Sequence, residues 1–213
     1  MSQVSAPWPK LKRDLIAILR GVKPDEVLAI GEELVEAGID VIEVPLNSPE
    51  PFQSIELLAK KLPRHVLIGA GTVLDPADIA RLDAAGGRLM ISPNVDPEVL
   101  AAAGKAGMVT MPGVFTPTEA LAALKAGASG LKFFPASALG PDGIRAISAI
   151  LPKGTVIGAV GGVDETTFAA YKKVGVRTFG LGSSLYKVGA TSSFVRDRAK
   201  ATVEAYDRIF AEG

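Results

Sequence analysis

One lysine interrupts the apolar run GLKFFPAS (130–137), and one acid, Glu43, interrupts VIEVP (41–45). Hiding an unpaired charge costs far more than a single side chain usually contributes, so a charge kept in such a run calls for a reason. Side chains alternate along an extended strand. Gly130, Lys132 and Phe134 therefore share one side and Leu131 and Phe133 the other, while Val41, Glu43 and Pro45 oppose Ile42 and Val44. With the large apolar side chains packed against helices, both charges turn inward. A structural ion pair is one reading of that arrangement. The other is chemical: a lysine in a dry pocket loses part of its preference for the charged form, and its free amine attacks a ketone to form a Schiff base. A nearby carboxylate would then move the protons.

A second set of residues is rich in glycine. AVGGVDE (159–165) and GLGSSLY (180–186) put Gly161-Gly162 and Gly182-Ser183 after two short apolar runs. Glycines let backbone amide hydrogens approach an anion closely, and in parallel barrels the loops after strands seven and eight frequently hold a phosphate. Tight turns without a ligand are the alternative. Taken together, the two sets predict a phosphorylated substrate with a carbonyl within reach of Lys132. The single histidine, His65, starts HVLIGAGT (65–72) and reads as an exposed or capping residue. A Ser-His-Asp triad would need that one imidazole where the chemistry is, and a multi-histidine metal site would need more than one. Acid–base work falls to carboxylates, lysines or tyrosines. Phe115, Phe133 and Phe134 read as packing rather than pocket lining, and nothing in the position of Tyr186 assigns it a role.

The elements that must position these residues recur along the whole chain. Strand candidates are 15–19, 39–44, 65–69, 88–92, 108–111, 129–134, 155–160 and 176–181, with starts 20 to 26 residues apart. Gly38, Gly86, Gly107, Gly127 and Gly175 each follow an apolar-periodic stretch and precede a strand, as helix-ending glycines do. Pro24, Pro76, Pro97, Pro117 and Pro141 fall near helix starts, where a missing amide hydrogen is harmless, and Asp75 and Thr116 are candidate caps. Eight strand–helix units in this length predict a single (β/α)8 barrel domain. An open doubly wound sheet is the alternative, although GAGTVL (69–74) ends in leucine where a dinucleotide fingerprint wants glycine. Residues 1–14 read as a short N-terminal extension, a helix across the barrel floor, and 193–211 as the last helix. Active sites of such barrels lie at the carboxyl ends of the strands. The sequence places Arg20, Glu43, Thr72, Pro93-Asn94, Pro112-Gly113, Lys132, Gly161-Gly162 and Gly182-Ser183 there.

Composition excludes several classes of function. The 213 residues carry 23 acidic and 23 basic side chains and are 48% hydrophobic. No basic tail or aromatic–basic interleaving suggests nucleic acid, and no run approaches the roughly 18 apolar residues of a membrane span. MSQVSAPWPK lacks the apolar core of a signal peptide, so a cytoplasmic protein is expected. The lack of cysteine removes disulfides and thiolate chemistry.

In order along the chain, LIAILRG, EVPLNSP, IGAGTVL, SPN, PGVFTPTEA, LKFFPAS, AVGGV and GLGSSLY resemble the 2-keto-3-deoxy-6-phosphogluconate and 2-keto-3-deoxy-6-phosphogalactonate aldolases. These are lysine-dependent aldolases on a (β/α)8 barrel, and the likeness runs from about Leu15 to Gly189. The resemblance implies that Lys132 is the Schiff-base lysine and Glu43 the proton shuttle. Arg20 and Thr72 would contact the keto-acid end, and Gly161, Gly162 and Ser183, beside Gly182, would hold the phosphate. It further implies reversible cleavage of a phosphorylated keto-deoxy sugar acid to pyruvate and glyceraldehyde 3-phosphate, no cofactor or metal, and a homotrimer. One departure stands out. Where the phosphogluconate enzymes usually carry E-V-T-L-R, this chain has Glu43-Val44-Pro45-Leu46-Asn47, so Asn47 replaces a carboxylate-binding arginine and Arg20 is left to hold that end. PLNSP looks like the phosphogalactonate branch, which implies the galactonate epimer at C4; the gluconate epimer or dual specificity is the alternative. A phosphosugar isomerase, epimerase or synthase on the same barrel, or a binding barrel without turnover, are the readings from other classes.

Overall fold

The computed structural model describes residues 5–210. Among them, strands and helices alternate: β1 (Leu15–Ile18), α1 (Pro24–Ala37), β2 (Val41–Pro45), α2 (Pro51–Lys61), β3 (Leu67–Gly71), α3 (Ala77–Ala84), β4 (Leu89–Ile91), α4 (Pro97–Lys105) and β5 (Val109–Met111). There follow β6 (Gly113–Val114), α5 (Pro117–Lys125), β7 (Leu131–Phe133), α6 (Ala136–Ser148), β8 (Ile157–Val160), α7 (Phe168–Lys172), β9 (Thr178–Leu181) and α8 (Ser192–Phe210). All strand pairs are parallel, in the order β5-β4-β3-β2-β1-β9-β8-β7-β6. The two edge segments, β5 and β6, are consecutive in the chain and separated only by Pro112. Proline has no amide hydrogen to give to a ladder, so the strand expected over 108–111 is followed, past Pro112, by a second short segment that the apolar pattern does not mark. Across the gap the Gly130 amide donates to Thr110 O at 3.1 Å and the Lys132 amide to Pro112 O at 3.0 Å. The sheet is thus a nearly closed parallel barrel. No open doubly wound sheet forms.

Two apolar layers follow from the alternation. Ile16, Val41, Leu67, Leu89, Ile91, Val109 and Met111 fill the lower interior of the barrel. Ile42, Val44, Leu131 and Phe133 face outward into a larger core shared with helix residues such as Val27, Ile30 and Leu34. The outward placement of these four is what turns Glu43 and Lys132 inward. Helix starts and stops have local causes. At α1, Pro24 leads, the Glu26 carboxylate accepts the Lys23 amide hydrogen at 3.0 Å, and Gly38 ends the helix at φ 95°. The Gly38 and Ile39 amides then donate back to Val35 and Leu34 carbonyls at 2.9 Å each, which turns the chain straight into β2. In α6, Gly140 breaks the helix at φ 65° and ψ 170°, and Pro141 starts it again. Thr116 caps α5 in a reciprocal pair with Glu119. Thr116→Ala is expected to cost about 1 kcal/mol and to lower the thermal midpoint by roughly 2–4 °C, readable by calorimetry.

The N-terminal segment departs from expectation. Residues 5–14 contain no helix; residues 1–4 lie outside the described residues. Pro7 and Pro9 explain this, since each removes a donor and pushes the preceding residue toward extended conformations. Ala6 instead bridges Val109 in parallel, Ser5 Oγ accepts from Thr110 Oγ1 at 2.8 Å, and Trp8 and Leu11 pack against the interior cluster. At the other end, α8 packs along α1 and joins Tyr206 and Phe210, their rings stacked at 4.3 Å, to Phe168 and Phe179. Among the described residues no helix is long and apolar enough to cross a membrane.

Candidate active site

Lys132 on β7 and Glu43 on β2 both face a cavity of about 410 Å³ at the carboxyl ends of the strands. They are nearly sealed, at 6% and 2% exposed. The Lys132 amine lies 4.8 Å from the centre of the Phe134 ring, and Glu43 Oε2 is buried without a hydrogen-bond partner. Burial pushes the Glu43 carboxyl up to about 7, against the pull of Lys132 and then of Arg20. Burial likewise holds the Lys132 amine below its ordinary value; Glu43 opposes that shift and Arg20 adds to it. Each group is thereby brought toward the neutral range from its own side, which suits groups that must both give and take protons.

A glycine makes room for the acid. A Cβ at Gly71, the last residue of β3, would lie 1.6 Å from Glu43 Oε2, so the carboxyl occupies the space a side chain would fill. Gly71 is not among the residues that the sequence singles out. Thr72 follows it at φ 55°, a left-handed conformation that costs a β-branched residue roughly 1–3 kcal/mol. Its Oγ1 accepts from Arg20 Nη2 at 3.3 Å, while Arg20 Nη1 donates to Asn47 Oδ1 at 2.5 Å. Arg20 and Thr72 line the cavity; Asn47 does not, and reaches it only through Arg20. Pro93 lines the opposite wall, its carbonyl 2.2 Å from where a Cβ at Gly113 would sit.

The glycine pairs lie on the same rim. Gly161, Gly162, Gly182 and Ser183 all line the cavity. Gly161 and Gly162 have φ of 92° and 73°, and a Cβ at Gly162 would meet Ser137 Cβ at 2.6 Å. Among the described residues, the Gly162 and Ser183 amides donate to no protein acceptor. Two uncommitted N–H groups on adjacent glycine-containing loops form the sort of concavity that takes an anion. Asp164 and Ser184 also line the cavity. Their signal in the sequence is their place inside the two glycine stretches, which marks the loops but not which side chains reach the pocket.

The remaining candidates separate cleanly. Phe134, read from the sequence as packing, instead lines the cavity, whereas Phe133 packs as expected, fully buried in the outer core, and Phe115 is 41% exposed. His65 is exposed before β3, 3.6 Å from Asp40. Tyr186 donates to Glu26 Oε1 at 3.0 Å, tying the loop after β9 to the start of α1. A larger cavity of about 550 Å³ lies at the barrel floor against Trp8, Asp14 and Arg177, far from the buried amine.

Over residues 10–201 the chain matches the KDPG and KHG aldolase family. It is 60% identical over 204 residues, 96% of each chain, to a probable 2-dehydro-3-deoxy-6-phosphogalactonate aldolase of Rhizobium meliloti (strain 1021). Identity is 45% over 195 residues, 92% of this chain and 95% of the other, to the 2-dehydro-3-deoxy-6-phosphogalactonate aldolase of Escherichia coli (strain K12). A solved structure described as native KDPGal superposes with a TM-score of 0.93 at 43% identity, covering 96% of this chain and 99% of that one. Near full-length identity of this order and a barrel mouth with one sunken amine facing one sunken carboxyl agree: the chain belongs to the KDPG and KHG aldolase family.

Proposed function

We propose that this protein is a Schiff-base aldolase that reversibly cleaves 2-dehydro-3-deoxy-6-phospho-D-galactonate to pyruvate and D-glyceraldehyde 3-phosphate. The observation that carries the reading is the Lys132 amine, buried in the cavity with its pKa lowered and Glu43 as its counterpart. On this reading β5 and β6 count as one strand broken at Pro112, and the fold is a (β/α)8 barrel.

The free amine of Lys132 attacks the C2 carbonyl, and loss of water leaves an iminium. The Glu43 carboxylate takes the proton of the C4 hydroxyl. The C3–C4 bond breaks, its electron pair flows into the iminium to give an enamine, and glyceraldehyde 3-phosphate departs. Glu43 returns the proton to C3, and hydrolysis frees pyruvate and the amine. A carboxyl near 7 is present in both forms at neutral pH, as a group that is base and then acid within one turnover requires. Arg20, held by Asn47 and Thr72, receives the C1 carboxylate, and the amides of Gly162 and Ser183, with Gly161 and Gly182 beside them, receive the phosphate. Near full-length identity to 2-dehydro-3-deoxy-6-phosphogalactonate aldolases supports the galactonate epimer, while the Asn47 contact gives Arg20, the guanidinium at the carboxylate end, a fixed direction.

Borohydride added with pyruvate is expected to fix a three-carbon adduct on Lys132, read by mass spectrometry of the intact protein and its peptides. An unmodified chain, or label on another lysine, overturns the reading. Side-by-side rates with the two C4 epimers then test the substrate: a clear preference for the galactonate form is expected, and equal rates would make the enzyme dual-specific. Assembly as a homotrimer is proposed with it, to be read by light scattering.

A further inference from the structure

Arg198 lies on α8, outside the cavity, yet it bonds to both loops that form the cavity's glycine rim. Its Nε donates to the carbonyl of Ser184, in the loop after β9, at 3.0 Å. Its Nη2 donates to Glu165 Oε1, in the loop after β8, at 2.6 Å. Ser184 and Asp164, the neighbour of Glu165, line the cavity, and Ser184 Oγ donates across to Val163 O at 3.3 Å. The contact is largely withdrawn from water, the side chains being 32% and 22% exposed, which sets it apart from a surface ion pair.

We propose that Arg198 is a positioning residue that clamps the loops after β8 and β9 in register, so that the substrate's phosphate meets both sets of amides at once. The inference rests on the phosphate site assigned above. Two physical effects drive it. Glycine has the widest choice of backbone conformation, Gly161 and Gly162 take the positive φ that it adopts without strain, and a loop that must be ordered on binding subtracts that ordering from affinity. A planar guanidinium can hold two acceptors in different loops at fixed angles, which an ammonium on a flexible stem cannot. Arg198 also pairs the Glu165 carboxylate, whose other oxygen is buried without a partner.

The effect is therefore expected in binding of the phosphate end, with the carbonyl end untouched. In Arg198→Met, KM for the phosphorylated substrate should rise about tenfold or more with kcat little changed. The kcat/KM for the same sugar acid without its phosphate should stay within about twofold, and borohydride trapping of pyruvate should proceed as in the parent. Glu165→Gln, which weakens the same clamp from the other side and keeps the side-chain shape, should raise the same KM by a smaller factor. It serves as the deciding variant if Arg198→Met does not fold, as judged by its thermal midpoint. Equal losses with both substrates would mark Arg198 as merely structural, and an unchanged KM in folded variants would overturn the clamp. A parent enzyme with no preference for the phosphorylated substrate would instead overturn the phosphate site itself.

Discussion

Lys132→Met is expected to lower the rate of pyruvate release on the order of 10⁶-fold, the scale on which deleting a covalent nucleophile removes catalysis. Loss of all borohydride-trapped adduct should accompany it. Methionine fills much the same space as the lysine stem, so the cavity wall is kept while the amine is removed. Lys132→Arg should fail equally, because a guanidinium does not give up its proton to become a nucleophile. Stability should move the other way. The lysine's pKa is lowered in the folded protein, chiefly by burial, so at neutral pH folding must either bury a charge or strip a proton. A thioether at this position needs neither, and below about pH 7, where Glu43 is protonated and needs no counter-charge, a thermal midpoint at or above that of the parent is expected for Lys132→Met. An inactive variant that melts far lower would point to misfolding, and substantial turnover by Lys132→Arg would favour an isomerase or synthase on this barrel.

Glu43→Gln should separate proton transfer from iminium formation. Loss of a positioned acid–base group typically costs 10²- to 10⁴-fold, so turnover should fall by about that much while pyruvate is still trapped on Lys132. The parent's kcat/KM should decline as pH falls through about 7, where Glu43 becomes protonated, and the variant should lose that limb. Folding stability carries the same signature with a definite sign. The carboxyl's value is raised from 4.5 unfolded to about 7 folded, so its contribution is fully present below about 4.5 and is lost as pH rises through about 7. Between these limits one proton contributes a slope of up to about 1.4 kcal/mol per pH unit. Urea midpoints measured across roughly pH 4 to 8, the span of that titration, should descend less steeply in Glu43→Gln than in the parent. Parallel curves would mean that Glu43 is not the buried titrating group.

Much of this is legible in the sequence because it rests on local rules. Alternation alone puts Glu43 and Lys132 on the inner side of their strands, since Ile42, Val44, Leu131 and Phe133 have to face helices. The five junction glycines are legible because a helix end in the left-handed region leaves little choice of residue, and all five have φ between 70° and 95°. What is not legible depends on neighbours distant in sequence. The break at Pro112 matters only because β5 and β6 pair with different strands, a fact of closure. That Gly71 seats a carboxyl far from it in the chain depends on the register of β2 against β3. Asn47 reads as a lost arginine in the sequence; its use is visible only in its bond to Arg20. Arg198 sits on a helix whose polar residues all look alike as a solvated face, and only the packing of α8 brings its guanidinium to the two loops.

The vacancy at residue 71 implies that this enzyme's acid is specified by two positions. On the proposed mechanism the carboxylate at 43 moves the proton, and the missing methyl opposite supplies the room to hold it. Any drift at 71, even to alanine, would displace the acid without altering a single charge. In an unfamiliar sequence of this kind, a glycine there would say as much about whether the chemistry survives as the glutamate does.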